Sequence, residues 1–227
     1  MKFQSNILSE ARGKLNGMVF SRNRYASIIR NKTSPVNRDT TAQALQRSNF
    51  AALSAGFRAL TPSQIAAWNA AAENWKRNNV FGQQYTQSGL NLYVGLNTNI
   101  VNVAGTIISE PPTPEDMPVL DATALTVTTT TMSLTLSVSS IPAGHSLIIQ
   151  ATQSVSAGRN FLKNLYRTIS VQAAAASSPI DLFSTYSAKF GAPVKDMRVG
   201  VRAYLVNKTT GQAGLPFNIS GIVGTAV

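Results

Sequence analysis

Hydrophobic and polar positions follow three different patterns along the chain, and each pattern predicts a different kind of structure. Residues 1–38 have neither a clear helical period nor a clear alternation. From Asp39 to about Gly105, apolar residues recur every three or four positions, as on one face of a helix. After residue 119 apolar and polar residues alternate, as in half-buried strands. We therefore predict an α+β protein whose helical part precedes its strand-rich part.

The helical part is expected to begin at an N-cap, either Asp39 or Thr40, and to continue for about five turns. A second helix start is predicted at Thr61-Pro62-Ser63-Gln64, because Thr61 can cap the helix and Gln64 can complete a capping box. These two helices would form a helical hairpin over residues 40–78, and a third helix is predicted from about Ser88 to Gly105. The three apolar stripes are Phe50, Leu53, Phe57 and Leu60; Ile65, Trp68, Ala72 and Trp75; and Leu90, Tyr93, Val94 and Ile100.

The strand-rich part spans residues 119–227 and contains about seven predicted strands. A helix over residues 179–190 interrupts them. This pattern is typical of an immunoglobulin-like or fibronectin-like β-sandwich. The alternating apolar positions include Leu125 and Val127; Met132, Leu134, Leu136 and Val138; Leu147, Ile149 and Ala151; Leu165, Ile169 and Val171; Val199, Val201, Ala203 and Leu205; and Leu215, Phe217 and Ile219.

Four prolines between residues 110 and 118 predict a stiff, extended linker. We therefore expect four segments: an extended basic docking arm (1–38), a helical region (39–109), the linker (110–118) and the β-sandwich domain (119–227). The linker would let the two larger parts sit on different surfaces.

Charge is concentrated before the linker. The chain of 227 residues has a formal charge of +11, from 20 Lys and Arg against 9 Asp and Glu. Residues 1–109 hold 12 basic and 3 acidic residues, a net charge of +9, and residues 110–227 hold 8 and 6, a net charge of +2. Such an imbalance indicates a partner with an acidic surface, either a protein or a nucleic acid.

The residue types needed for common catalytic chemistry are scarce. Cysteine is absent and His145 is the single histidine, which excludes disulfides, thiol nucleophiles and Cys/His zinc sites. No phosphate-binding loop motif is present. Four acidic residues cluster around the linker, but a proline-rich segment offers no rigid geometry for acid–base chemistry or a metal: Glu110, Glu115, Asp116 and Asp121. We therefore expect no enzyme activity, no cofactor and no metal site.

The first 38 residues combine basic and apolar side chains, which is unusual for a solvated tail. Residues 18–30 could form a short pair of strands in which neither face is clearly apolar. A segment that cannot bury its own face is expected to become ordered on a partner. The predicted partner-binding residues are Arg12, Lys14, Phe20, Arg22, Asn23, Arg24, Tyr25, Ile28, Arg30, Lys32, Asn37 and Arg38.

Four stretches resemble sequence blocks of virion structural proteins from tailed bacteriophages, including those of the crAss-like group that infect gut Bacteroides. They are Ala11-Arg12-Gly13-Lys14-Leu15-Asn16-Gly17-Met18-Val19-Phe20-Ser21-Arg22-Asn23-Arg24-Tyr25; Pro35-Val36-Asn37-Arg38-Asp39-Thr40-Thr41-Ala42-Gln43 with Leu60-Thr61-Pro62-Ser63-Gln64-Ile65-Ala66-Ala67-Trp68; and Ser88-Gly89-Leu90-Asn91-Leu92-Tyr93. The resemblance covers the first hundred residues well and the remainder loosely.

The resemblance implies a non-enzymatic structural role in the virion. We expect an auxiliary capsid protein that cements or decorates the shell, with a ring protein at the head–tail junction or a tail component as alternatives. The implied partners are the major capsid protein or the portal and tail proteins of the same particle, together with further copies of this chain. It would be made in the host cytoplasm and reside in the virion. Separately, no window approaches 18 uninterrupted apolar residues, so no membrane association is expected.

Considered without the resemblance, the residues leave two other functions open. The basic arm could bind nucleic acid without sequence preference, because it resembles basic tails that follow phosphates and contains no base-reading motif. Carbohydrate binding by the β-sandwich is the weaker alternative, because the six tyrosines are scattered along the sequence rather than clustered.

Overall fold

The computed structural model describes residues 2–3 (backbone only), 11–22, 26–34 and 39–225. Within these ranges the chain is a mixed α+β protein with four α-helices and several antiparallel sheets. The predicted fold class is confirmed at this level.

The N-terminal strands pair with one another to form a four-stranded antiparallel sheet, which we call the arm sheet. Its strands are β1 (Lys2–Phe3), β2 (Gly13–Leu15), β3 (Met18–Arg22) and β4 (Ser27–Asn31). They are ordered β1-β4-β3-β2 across the sheet. The prediction of two strands over residues 18–30 is confirmed, and β2 and β1 add one strand at each edge.

The helical region contains α1 (Thr41–Arg58), α2 (Pro62–Ala71), a 3₁₀ turn (Ala72–Asn74) and α3 (Gly89–Asn102). A short hairpin of β5 (Arg77–Asn78) and β6 (Gln84–Tyr85) connects the turn to α3. The predicted helix starts are confirmed. Thr40 caps α1, and the Thr61 side chain and Gln64 form the expected capping box of α2.

Aromatic side chains form the centre of the helical core. Trp68 is fully buried, and its ring meets Tyr93 edge-on with 5.2 Å between centroids. Phe57 also packs against Tyr93, with 5.4 Å between ring centroids. The placement of Phe50 in this core was wrong, since its side chain is 61% exposed. Phe50 shares a helix face with Leu53, but the buried part of α1 begins only at Leu53, nearly one turn later.

The strand-rich part forms two antiparallel sheets. Its elements are β7 (Ala122–Val127), β8 (Met132–Leu136), β9 (His145–Ala151), β10 (Arg167–Gln172), β11 (Ile180–Asp181), α4 (Phe183–Phe190), β12 (Arg198–Asn207) and β13 (Phe217–Ile222). One sheet has the order β10-β9-β12-β13 and the other β11-β8-β7. Alternate residues of both sheets, including Leu134 and Val201, share one hydrophobic core with Tyr186 of α4.

The predicted helix over residues 179–190 is too long at its start. Ile180 pairs with Leu134 in the smaller sheet, so this segment is β11 rather than helix. The carboxylate of Asp181 then accepts a 2.9 Å hydrogen bond from the amide of Phe183, where α4 begins. Similarly, β10 and β13 begin at Arg167 and Phe217, two residues after the predicted alternation starts.

Residues 110–118 form neither helix nor strand, and hydrogen bonds connect them to both larger parts. On the helical side, Gln64 donates to the Glu110 carboxylate at 2.9 Å. On the β side, the amide and carbonyl of Glu115 bond the side chain of Gln212 at 2.9 and 2.6 Å. The two parts also contact each other directly, because Val103 packs against Val206.

Candidate partner-binding surface

The arm sheet is built around a tight hairpin. Leu15 of β2 is directly opposite Met18 of β3, so two residues, Asn16 and Gly17, make the turn. Asn16 has a positive φ of 51°, which asparagine tolerates better than most residues. Asn-Gly between strand residues is a strong hairpin signal. That signal could have revealed β2 from the sequence.

Strand register sorts the arm residues into two faces. Gly13, Phe20 and Ile29 are cross-strand partners, as are Leu15 and Met18. Directly opposed residues lie on the same face of an antiparallel sheet. We call Leu15, Met18, Phe20 and Ile29 the apolar face of the arm sheet.

The opposite face carries positive charge. Val19 is paired with Lys14 on one side and with Arg30 on the other. Because neighbouring strands are about 4.8 Å apart, the two basic residues are about 10 Å apart across the sheet. Ile28 lies on the same face, opposite Ser21. We call Lys14, Val19, Ile28 and Arg30 the cationic face.

The described part of the arm has no buried residue. In residues 11–22 and 26–34 every side chain is exposed or only partly covered. Leu15 is 64% exposed and Met18 is 42% exposed. Sheets of this size normally need an apolar surface to pack against. Leu15 and Met18 therefore expose apolar area that a partner could cover.

The structure brings together some of the predicted binding residues and separates others. Lys14, Ile28 and Arg30 lie on the cationic face, whereas Phe20 and Arg22 lie on the opposite one. Arg12 precedes β2, and Lys32 follows β4, where its backbone amide donates to the Gly17 carbonyl at 2.8 Å. The other predicted residues lie outside the described ranges: Asn23, Arg24, Tyr25, Asn37 and Arg38.

Sequence reasoning missed three members of the apolar face. Leu15, Met18 and Ile29 were not among the predicted binding residues, because the faces could not be assigned without the register. A shift of one residue in register would move every side chain to the other face.

The other candidate residues do not converge on a site. His145 Nδ1 lies 2.8 Å from the Ala143 carbonyl within its own turn. The Glu110 carboxylate accepts a hydrogen bond from Gln64 of the helical region. The Glu115 carboxylate accepts one from Asn207 of the strand-rich part. Within the described ranges, no group of three or more His, Asp or Glu residues could hold a metal ion. In the same ranges, no helix is both long enough and apolar enough to span a membrane.

Comparison with models of known protein families, with curated proteins and with solved structures finds no match.

Proposed function

We propose that this chain is a non-enzymatic structural protein of a tailed-phage particle, and that it docks on the capsid shell through its arm sheet. The observation that carries the proposal is the arm sheet itself, which has a cationic face, an apolar face and no buried residue among those described. The reason for proposing a phage particle is the resemblance of the first hundred residues to phage virion proteins.

The two faces favour insertion between neighbouring subunits rather than attachment to one flat surface. Burying Leu15, Met18, Phe20 and Ile29 would remove apolar area from water. Lys14 and Arg30 would pair with carboxylates of a second subunit and set the orientation of the sheet. An auxiliary shell protein that cements neighbouring capsomers needs contacts of this kind on both sides.

We further propose that residues 119–227 form an immunoglobulin-like or fibronectin-like sandwich that faces outward. Seven strands in sheets of four and three support this, as does the shared core of the two sheets. The constant-type immunoglobulin order places the fourth strand in the sheet of the first two strands. Here the fourth strand, β10, pairs instead with β9, at the position that an added strand takes in variable-type domains.

The decisive experiment replaces side chains on each face and measures incorporation into particles. One variant carries Leu15→Ser, Met18→Ser and Phe20→Ser, and another carries Lys14→Glu and Arg30→Glu. Both should reduce copy number per particle about tenfold or more, because interface residues that are fully desolvated dominate binding. The matched control is Lys76→Glu with Lys195→Glu, which changes net charge equally at exposed positions outside the arm and should retain full occupancy.

Cryo-electron microscopy of purified particles then identifies the position. Density that repeats over the icosahedral shell, with the arm sheet between capsomers, supports the cement role. A ring at a single vertex would instead favour the head–tail junction or tail alternatives. Full occupancy of both arm variants would contradict docking through this sheet, and absence of the protein from particles would favour the nucleic-acid alternative.

A further inference from the structure

A second candidate site lies on the outer face of the larger β-sheet. Successive residues of β12 alternate between the two faces, and Val199, Val201 and Ala203 belong to the core. Gly200, Arg202 and Tyr204 therefore face away from the core. Arg202 pairs with Gln150 of β9 and Asn218 of β13, which places it in the middle of the sheet.

The loop before β10 folds over part of this outer face and borders an open cavity. A Cβ on Gly200 would lie 2.6 Å from the Leu162 side chain and 3.1 Å from the Tyr166 hydroxyl, so glycine allows the loop to approach the strand closely. The cavity between loop and sheet has a volume of about 410 Å³, within the usual range of small-molecule sites. Its lining includes Phe161, Lys163, Tyr166, Arg202, Asn218 and Ser220.

Arg202 also lines a smaller cavity of about 250 Å³, together with Tyr204. The Nε of Arg202 is buried and has no hydrogen-bond partner among the described residues. A buried polar group without a partner costs free energy, and the cost is larger for a charged group. Because almost none of this Nε is accessible to solvent, a ligand in the cavity would meet the guanidinium through its terminal nitrogens.

Two tyrosines share the environment of this guanidinium. Burial raises the pKa of Tyr166 and of Tyr204, and the positive charge of Arg202 opposes the rise in both. The charge of Arg202 thus acts on both rings, although the sequence separates them widely. No carboxylate among the described residues forms a salt bridge with Arg202, so its charge is available to a ligand.

We propose that this cavity binds an acidic sugar, with the ligand carboxylate on Arg202. The guanidinium fork matches a carboxylate, and Lys163 adds a second positive charge at the rim. Asn218 and Ser220 can both donate and accept hydrogen bonds, as sugar hydroxyls require. Phe161 is 64% exposed and offers an apolar ring face to the sugar.

The polar side chains that line the cavity favour an acidic sugar over other anions. A phosphate or a peptide carboxylate would pair with Arg202 and Lys163. It would leave the polar side chains of β13, Asn218 and Ser220, without a role. A hydroxylated ring that carries one carboxylate uses both sets of groups. This proposal is independent of the arm sheet, so either can fail without the other.

The test is an amide NMR titration of the full ¹⁵N-labelled chain with D-galacturonate. We expect saturable shifts confined to residues 160–166, 202–204 and 218–220, with a dissociation constant on the order of 1 mM. Arg202→Met should weaken binding about tenfold or more, while its methylenes keep the stem packing. Arg202→Lys should recover only part of the affinity, because the ammonium lacks the fork.

Lys195→Met is the control, because it removes one positive charge at an exposed position that does not line either cavity. It should bind D-galacturonate as the unmodified chain does. D-glucose tests whether the carboxylate is needed, and inorganic phosphate and N-acetyl-aspartate test the other anions. Equal or tighter binding of any of the three would overturn the proposal, as would the absence of localised shifts with D-galacturonate. Unchanged spectra outside the site would show that the Arg202 variants remain folded.

Discussion

The indole Nε1 of Trp68 donates a 2.7 Å hydrogen bond to the backbone carbonyl of Ser109. Trp68 lies at the centre of the helical core, and Ser109 comes directly before the proline-rich segment. Asn97 of α3 holds the preceding residue, because its side chain bonds both the amide and the carbonyl of Ile108 at 2.8 and 3.2 Å. These hydrogen bonds attach residues 108–109 to the helical core, just before the proline-rich segment begins.

Replacing Trp68 by phenylalanine should lower the free energy of unfolding by about 3 kcal/mol, because it creates a cavity and leaves the Ser109 carbonyl without its donor. Trp75→Phe is the matched control. The Trp75 Nε1 is buried without a partner among the described residues, so its removal leaves no acceptor unsatisfied. We expect that control to lose at most about 1 kcal/mol. Urea denaturation measures both, and equal losses would contradict the importance of the Trp68–Ser109 bond.

The turn after β12 should tolerate no side chain at Gly211. Its φ is +71°, and a Cβ there would lie 2.3 Å from the Leu96 carbonyl oxygen of α3. Gly211→Ala should therefore cost about 3 kcal/mol of stability, from backbone strain and from separation of the turn and the helix. At Gly158 nothing lies within 4 Å of the added Cβ. Gly158→Ala should stay within about 0.5 kcal/mol, as measured by urea denaturation. A similar loss in both would mean that the contact with α3 is unimportant.

Local signals in the sequence predicted the helices well. Thr61 and Gln64 define a helix start through hydrogen bonds within four residues, with Pro62 at the first helical position, and the structure contains those bonds. The alternation in β8 and β12 likewise follows from burial of one strand face. The start of α4 could not be obtained this way, because Ile180 fits a helix face equally well and only its pairing with Leu134 makes it a strand residue.

The candidate surfaces depend on contacts between distant residues, and their prediction was correspondingly incomplete. Basic and apolar residues of the arm were recognised, but the division into two faces requires the register of β3 against β2 and β4. The Arg202 cavity was missed altogether. Tyr204 lies two residues after Arg202 on the same face of β12, but Tyr166 reaches the guanidinium only because a loop folds over Gly200, which no spacing in the sequence indicates.

Buried tyrosines should make the protein less stable at alkaline pH. Burial raises the pKa of Tyr93 and Tyr186 above the ordinary value of 10.0. In the unfolded chain these phenols ionise first, so the folded state binds more protons and stability falls as pH rises above about 10. Each group then contributes about 1.4 kcal/mol of loss per pH unit until its folded pKa is reached.

Urea denaturation between pH 8 and 11 measures this slope. The double variant Tyr93→Phe and Tyr186→Phe should show a shallower fall, although its stability at pH 8 is changed by the loss of the hydroxyls. Lysine deprotonation affects both proteins equally, so the difference between the slopes isolates the two phenols. Identical slopes would contradict a raised pKa for these tyrosines.

Removal of residues 1–38 should leave the rest of the protein folded and almost equally stable. None of the arm residues that the structure describes is buried, and α1 keeps its own cap at Thr40. We expect the free energy of unfolding to change by less than about 0.5 kcal/mol in urea denaturation. Truncation at the other end is the contrast, because removal of residues 217–227 deletes β13 with the buried side chains of Phe217 and Val223. That variant should fail to fold. A loss above about 2 kcal/mol on removal of the arm would mean that the arm packs against its own chain, and its apolar face would then be unavailable to a capsid partner.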